Sequence, residues 1–110
     1  LIGERELSLM KPTAFLINAA RGEVVDESAL IAALRSKKIA GAALDVFAKE
    51  PPEPDNPLLE MDNVILTPHM AALTKECVVR MATGAAKGVL DVLEGRRPAS
   101  VVNPEVLKAS

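Results

Sequence analysis

Ala14-Phe15-Leu16-Ile17-Asn18-Ala19-Ala20-Arg21-Gly22 is the stretch from which the architecture follows. Its first six residues run without polar–apolar alternation, as expected of a strand covered on both faces, and Ala20-Arg21-Gly22 ends it. After Glu23-Val24-Val25, Asp26 is a natural N-cap for a helix from Glu27 to Lys37. Leu30, Ala33 and Leu34 give that helix a buried stripe, and Lys37-Lys38 give it a cationic last turn. The following segment, Ile39 to Phe47, is small and apolar, and Gly41 breaks any helical pattern, so it predicts a second buried strand. Strand, helix and strand within about thirty residues make a parallel crossover unit.

Working outward, Glu4 to Met10 predicts a short helix stopped by Pro12. Residues 48–62 contain Pro51, Pro52, Pro54 and Pro57, which predict a stiff irregular loop of the kind that is usually functional or mobile. Asn63 to Leu66 predicts a third strand, closed by Pro68. From Thr74 to Glu94 the apolar positions Val78, Ala82, Ala85, Val89 and Leu93 fall on one helical face, with Thr74 as cap and Gly95 and Pro98 at the end. Gly84 and Gly88, four apart, would let another backbone approach closely; their plain alternative is a weakened helix. Val101-Val102-Asn103-Pro104 reads as a short extended tail. The class is therefore α/β, with about three parallel strands and a long C-terminal helix.

The composition narrows the function. Among 110 residues 49% are hydrophobic and 25% charged, the balance of a globular soluble domain. A net charge of −2 argues against nucleic acid as partner, because phosphate-binding surfaces cluster Lys and Arg and the nearest cluster here is Arg96-Arg97. No run approaches the roughly 18–20 apolar residues that span a bilayer, so no membrane partner is expected. One cysteine, Cys77, provides neither a disulfide framework nor metal-ligand spacing. No metal and a reducing, cytoplasmic location are the expectations. With Phe15 and Phe47 as the only aromatic residues, the core must be aliphatic and closely packed.

Parallel strands that each end on a polar residue bring Arg21, Asp45 and His69 toward the carboxyl edge of one sheet, where open α/β sheets bind ligands. Arg21 offers a fork of donors suited to a carboxylate. His69, the one histidine, can give or take a proton near neutral pH. Glu50 on the proline-rich loop could orient the imidazole and stabilise its protonated form. Taken singly, each has an ordinary explanation: Arg21 as a solvated loop residue, Asp45 bonding backbone at a strand end, Glu50 as surface charge, His69 as a structural histidine. Spacing alone leaves both readings open.

Three blocks favour the functional one: Leu9 to Asp26 (LMKPTAFLINAARGEVVD), Ala43 to Pro51 (ALDVFAKEP) and Asn63 to His69 (NVILTPH). In order and spacing they resemble the signature stretches of the D-isomer-specific 2-hydroxyacid dehydrogenases. The resemblance implies the C-terminal half of a Rossmann-type doubly wound parallel sheet for residues 1–70. It implies a crossover helix and tail toward a substrate domain for residues 71–110. By the same resemblance Arg21 holds the substrate carboxylate and carbonyl, and Glu50 pairs with the acid–base His69. Asp45 would contact the nicotinamide carboxamide, with Ala20, Arg21, His69, Ala71 and Ala72 lining the cofactor pocket, although the family often has glycine at the last two. The cofactor implied is NAD, with NADP not excluded, and the substrate a small 2-hydroxy or 2-keto acid. Glu50 disfavours formate, since the superfamily's formate dehydrogenases carry glutamine there.

No Gly-x-Gly-x-x-Gly occurs, so the pyrophosphate-binding half of such a cofactor domain lies outside these residues. The expectation is a C-terminal fragment of an oxidoreductase, inactive alone, whose uncovered apolar surfaces favour a homo-oligomer such as a dimer. Two alternatives stand beside it: a fragment of a non-enzymatic corepressor-like relative, and an inert remnant that oligomerises.

Overall fold

A computed structural model describes residues 1–108. Along the described residues run three α-helices and three strands: α1 (Glu4–Ser8), β1 (Phe15–Asn18), α2 (Glu27–Arg35), β2 (Gly41–Leu44), β3 (Val64–Leu66) and α3 (Lys75–Leu93). Single 3₁₀ turns cover Gly22–Val24, Pro57–Glu60 and Pro104–Lys108. The chain divides into two compact units, Leu1–Ala71 and a second beginning at Ala72.

In the first unit all strands are parallel in the order β1-β2-β3, with Ile17 opposite Ala43 and Ala43 opposite Ile65. The anticipated crossover unit is present, and its helix forms for the anticipated reason. Asp26 accepts the Ala29 amide at 3.0 Å, and Leu30, Ala33 and Leu34 are buried against the sheet. α2 ends two residues before Lys37, which takes a left-handed conformation (φ 54°). Lys37 N–H then reaches Leu34 O and Lys38 N–H reaches Ala33 O, the paired bonds of a Schellman stop. Ile39, next in the chain, is 1% exposed and joins Leu7, Leu16, Leu30, Leu34 and Leu44 in the core.

Strands β2 and β3 are joined without a helix. Asn56 Oδ1 accepts the Leu58 amide at 3.0 Å, nucleating the 3₁₀ turn that drops Leu58 into the core. An irregular connection can thus make a parallel crossover when one of its residues supplies the apolar anchor a helix would. Prolines at 51, 52, 54 and 57 keep the rest of it irregular, as expected.

One expectation needs correction. β1 is buried on one face only: Leu16 and Asn18 point inward, whereas Phe15 and Ile17 are 68% and 76% exposed, as is Ile65 at 69%. The apolar run predicts a strand but carries no information about what covers each face.

In the second unit Thr74 Oγ1 accepts the Cys77 amide at 3.1 Å to start α3. Gly95 at φ 71° ends it, with Arg96 N–H bonded to Asp91 O at 2.7 Å. Asp91, the buried residue of this helix, also accepts from Arg96 Nε at 2.9 Å. Val78, Val79, Met81, Val89, Val92 and Leu93 are exposed. A Cβ placed on Gly84 or Gly88 meets nothing within 4 Å among the described residues, so neither currently serves a close helix contact. The extended tail anticipated from Val101 instead bends at Val102 and passes into the 3₁₀ segment at Pro104. No helix among the described residues is long and apolar enough to cross a membrane.

Candidate active site

The site is assembled at the carboxyl edge of the sheet from residues that leave each strand. At the end of β1, the buried Asn18 folds the chain back on itself: Oδ1 accepts the Ala20 amide at 3.1 Å and Nδ2 donates to Arg21 O at 2.9 Å. This Asx turn presents Arg21 to solvent, where its guanidinium bonds only Ala20 O (2.6 Å) among the described residues. Gly22 then passes against the start of the proline-rich loop. A Cβ there would lie 1.9 Å from Phe47 O, so only glycine permits the approach that brings the Arg21 turn beside the loop bearing Glu50.

At the end of β2, Asp45 is 7% exposed and its amide donates to Asn18 O at 2.9 Å. Its carboxylate organises the turn after β3. Oδ1 accepts Thr67 Oγ1 at 2.5 Å and the Met70 amide at 2.8 Å, while Oδ2 accepts the Ala71 amide at 2.8 Å. The Thr67 hydroxyl first, then the Ala71 and Met70 amides, hold its carboxyl below the usual aspartate range against the opposing effect of burial. At the core of this clamped turn His69 sits at φ 51°, a left-handed conformation uncommon outside glycine and of order 1–3 kcal/mol strained. Asp45 supplies the fixed acceptors that hold it there.

The turn aims the imidazole at the loop. His69 Nδ1 lies 2.8 Å from Glu50 Oε2, and Glu50 Oε1 accepts the Phe47 amide at 3.0 Å. The bond to His69, followed by the Phe47 amide, lowers the Glu50 carboxyl below its ordinary range, with the charges of His69 and Arg21 adding to the effect. An ionised carboxylate only accepts, so the Nδ1 proton is fixed toward Glu50 and Nε2 is the nitrogen left for chemistry. Both side chains remain solvent-accessible, 50% for His69 and 38% for Glu50.

Arg21, Glu50 and His69 therefore share one edge. Asp45 lies beneath them, its oxygens engaged with Thr67, Met70 and Ala71. The Ala20 and Ala71 amides are engaged too, by Asn18 and Asp45, so what each offers a ligand is exposed surface. Ala72 is the first residue of the second unit. Two contributors carry little sequence signal: Asn18, whose polar group at the end of an apolar run is a weak hint of an Asx turn, and Thr67, for which there is none. No group of three or more metal-ligating side chains occurs among the described residues. The donor set, an exposed guanidinium on the same edge as an oriented imidazole, fits the reactive end of a nicotinamide dinucleotide and its anionic co-substrate. A hollow of about 650 Å³ between α1 and α2, bordered by Leu7, Asp26 and Lys38, contains none of these residues.

Comparison with known proteins gives the family. Residues 1–71 match the sequence profile described as D-isomer specific 2-hydroxyacid dehydrogenase, NAD binding domain. A glyoxylate reductase from Thermofilum pendens is 55% identical over 108 residues, which are 98% of this chain and 32% of that protein. The NAD-complexed D-isomer specific 2-hydroxyacid dehydrogenase of Lactobacillus delbrueckii ssp. bulgaricus superposes with a TM-score of 0.79 at 42% identity, over 93% of this chain and 35% of that one. The D-isomer specific 2-hydroxyacid dehydrogenase of Xanthobacter autotrophicus Py2, in complex with NADPH and MES, gives 0.83 at 41% identity, over 96% and 43%. The chain thus spans about a third of the length of the glyoxylate reductase it matches.

Proposed function

The chain belongs to the D-isomer-specific 2-hydroxyacid dehydrogenase family, and from that premise we propose that it supplies the acid–base and carboxylate-binding edge of an enzyme that interconverts a 2-keto acid and its 2-hydroxy acid. The observation that carries the reading is the 2.8 Å bond between His69 Nδ1 and Glu50 Oε2, at the edge that also bears the exposed guanidinium of Arg21.

A nicotinamide dinucleotide, when bound, supplies or accepts the hydride at substrate C2. Arg21 holds the substrate carboxylate and donates to the C2 oxygen, where negative charge accumulates as the hydride arrives. Protonated His69 gives its Nε2 proton to that oxygen, completing the hydroxyl group; in oxidation neutral Nε2 takes the proton back as the C–H bond electrons leave. Glu50 keeps the imidazole in one tautomer and offsets the positive charge it carries before transfer. The residues here fit the reactive end of the dinucleotide, but they include no glycine-rich phosphate loop, so the pyrophosphate contacts are assigned to a segment outside this sequence.

Glyoxylate, named for the Thermofilum pendens relative, is the first substrate to try. In a complete enzyme containing this chain, glyoxylate should drive oxidation of NADH or NADPH, followed by loss of absorbance at 340 nm. No turnover with glyoxylate or any larger 2-keto acid would refute the reading. The 110-residue chain alone is expected to be inactive in the same assay.

A further inference from the structure

We propose that Glu27 is a positioning residue for the Glu50–His69 pair, acting as a strap across the loop that carries Glu50; the proposal rests on His69 being the acid–base group. Glu27 is the first residue of α2, where an acidic side chain is ordinarily explained by the positive end of the helix. Its carboxylate is used differently here. Oε2 accepts the Ala48 amide at 3.2 Å, and Oε1 accepts Asn56 Nδ2 at 2.8 Å.

Those two partners are the two legs of the loop. Ala48 precedes Glu50 by two residues and follows Phe47, whose amide holds Glu50 Oε1 and whose carbonyl rests against Gly22. Asn56 closes the far leg, because its Oδ1 caps the turn that buries Leu58 and its amide bonds Glu53 O at 3.0 Å. One carboxylate on the helix thereby fixes both ends of the 48–56 segment to the rigid part of the fold. Between them the loop's internal ties are the Asn56 backbone bond to Glu53 O and an exposed Lys49–Glu53 pair, the latter a kind of contact that contributes little. Without the strap the tie left on Glu50 besides His69 is the Phe47 amide, and the segment carrying both can drift so that Glu50 leaves His69 Nδ1. The imidazole then loses its fixed tautomer, and Nε2 is no longer presented in one state.

The bonding pattern permits a donor–acceptor exchange. Glu27→Gln alone opposes the new amide to that of Asn56, whereas Glu27→Gln with Asn56→Asp lets Gln donate to the new carboxylate and still accept from Ala48. The test has two readouts. In the 110-residue chain, long-range ¹H–¹⁵N spectra of the single histidine at alkaline pH report the imidazole tautomer. In the complete enzyme, kcat and KM for glyoxylate are measured, with NADH affinity as control. Glu27→Ala should move the ring signals to those of a free imidazole and lower kcat about tenfold to a hundredfold with NADH affinity unchanged, as displacement of a reacting group does. The exchanged pair should recover both.

If Glu27→Ala leaves signals and kcat unaltered while Glu50→Gln changes both, the strap is refuted and the acid–base reading survives. If Glu50→Gln also leaves signals and kcat unaltered, the orienting role of Glu50 fails and the strap with it; if His69→Gln leaves kcat unaltered, the acid–base reading itself fails. Should Glu27→Ala not fold, the exchanged pair against Glu27→Gln alone decides: equal tautomer signals and equal kcat overturn the proposal.

Discussion

Arg21 and His69 leave the two outer strands of one sheet, and they are held in opposite ways. The turn bearing His69 is bonded to Asp45 through Thr67, Met70 and Ala71, and the ring itself to Glu50. The guanidinium of Arg21 bonds only the carbonyl of the preceding residue, among the described residues. The contrast follows from what each group must do. A guanidinium is charged at every accessible pH and has one planar fork to offer, so it needs only reach. An imidazole changes charge and tautomer near neutrality, so its environment must choose for it. Rigidity is concentrated where a protonation state has to be specified, and freedom is left where a charged ligand completes the arrangement.

The comparison can be broken from the rigid side first. Asp45→Asn replaces an acceptor with a donor opposite one of the amides it now binds, releasing the turn around His69. In the complete enzyme kcat should fall about a hundredfold, the scale expected when a reacting group is displaced by an ångström. Steady-state kinetics check this, and an unaltered kcat would remove Asp45 from the positioning role.

From the free side the expected loss is smaller. Arg21→Lys keeps the charge but gives up the bidentate fork. One charge-assisted hydrogen bond contributes about 1.5–3 kcal/mol, so kcat/KM for glyoxylate should drop by at least about tenfold. Thermal stability should be unchanged, because the guanidinium contributes little to holding the fold. A Tm shift as large as that of Asp45→Asn would contradict the assignment of rigidity to one side only.

The weakest expected effect is on stability against pH. Asp45 and Glu50 both have lowered pKa values in the folded chain, so the unfolded chain binds protons first as pH falls. Their contribution is complete well above the ordinary carboxylate range and is lost as pH drops below about 4 toward their folded values. Denaturation midpoints measured between neutral pH and pH 3 should decline in that window, with a shallower decline for Asp45→Asn. A flat profile would mean that the turn is not held by ionised carboxylates.

Much of this was legible before the structure. Asp26, Thr74 and Gly95 mark element ends through local capping bonds, and such bonds leave a pattern in adjacent residues. Arg21 and His69 stand out because strand ends point to one sheet edge, and Glu50 because it lies on the proline-rich loop between two of those strands. The apolar run itself does not distinguish one covered face from two; what pointed to a bare face such as that of Phe15 and Ile17 was the lack of a glycine-rich half-domain in these residues, and which residues lie on it was not legible. Asp45 was legible in part: bonding backbone at a strand end is one of its two readings, but which partners it takes, 22 to 26 residues away and including two backbone amides available at any sequence, was not. Thr67 and Glu27 escaped for the same reason: long-range bonds from ordinary polar side chains have no periodicity to betray them.

The central claim is that the oriented imidazole moves the proton. It is tested most directly by His69→Gln in the complete enzyme, with kcat for glyoxylate reduction and NADH binding by fluorescence titration measured together. A loss of about 10²–10⁴ in kcat with NADH affinity retained is the predicted result; an unchanged kcat would contradict the account.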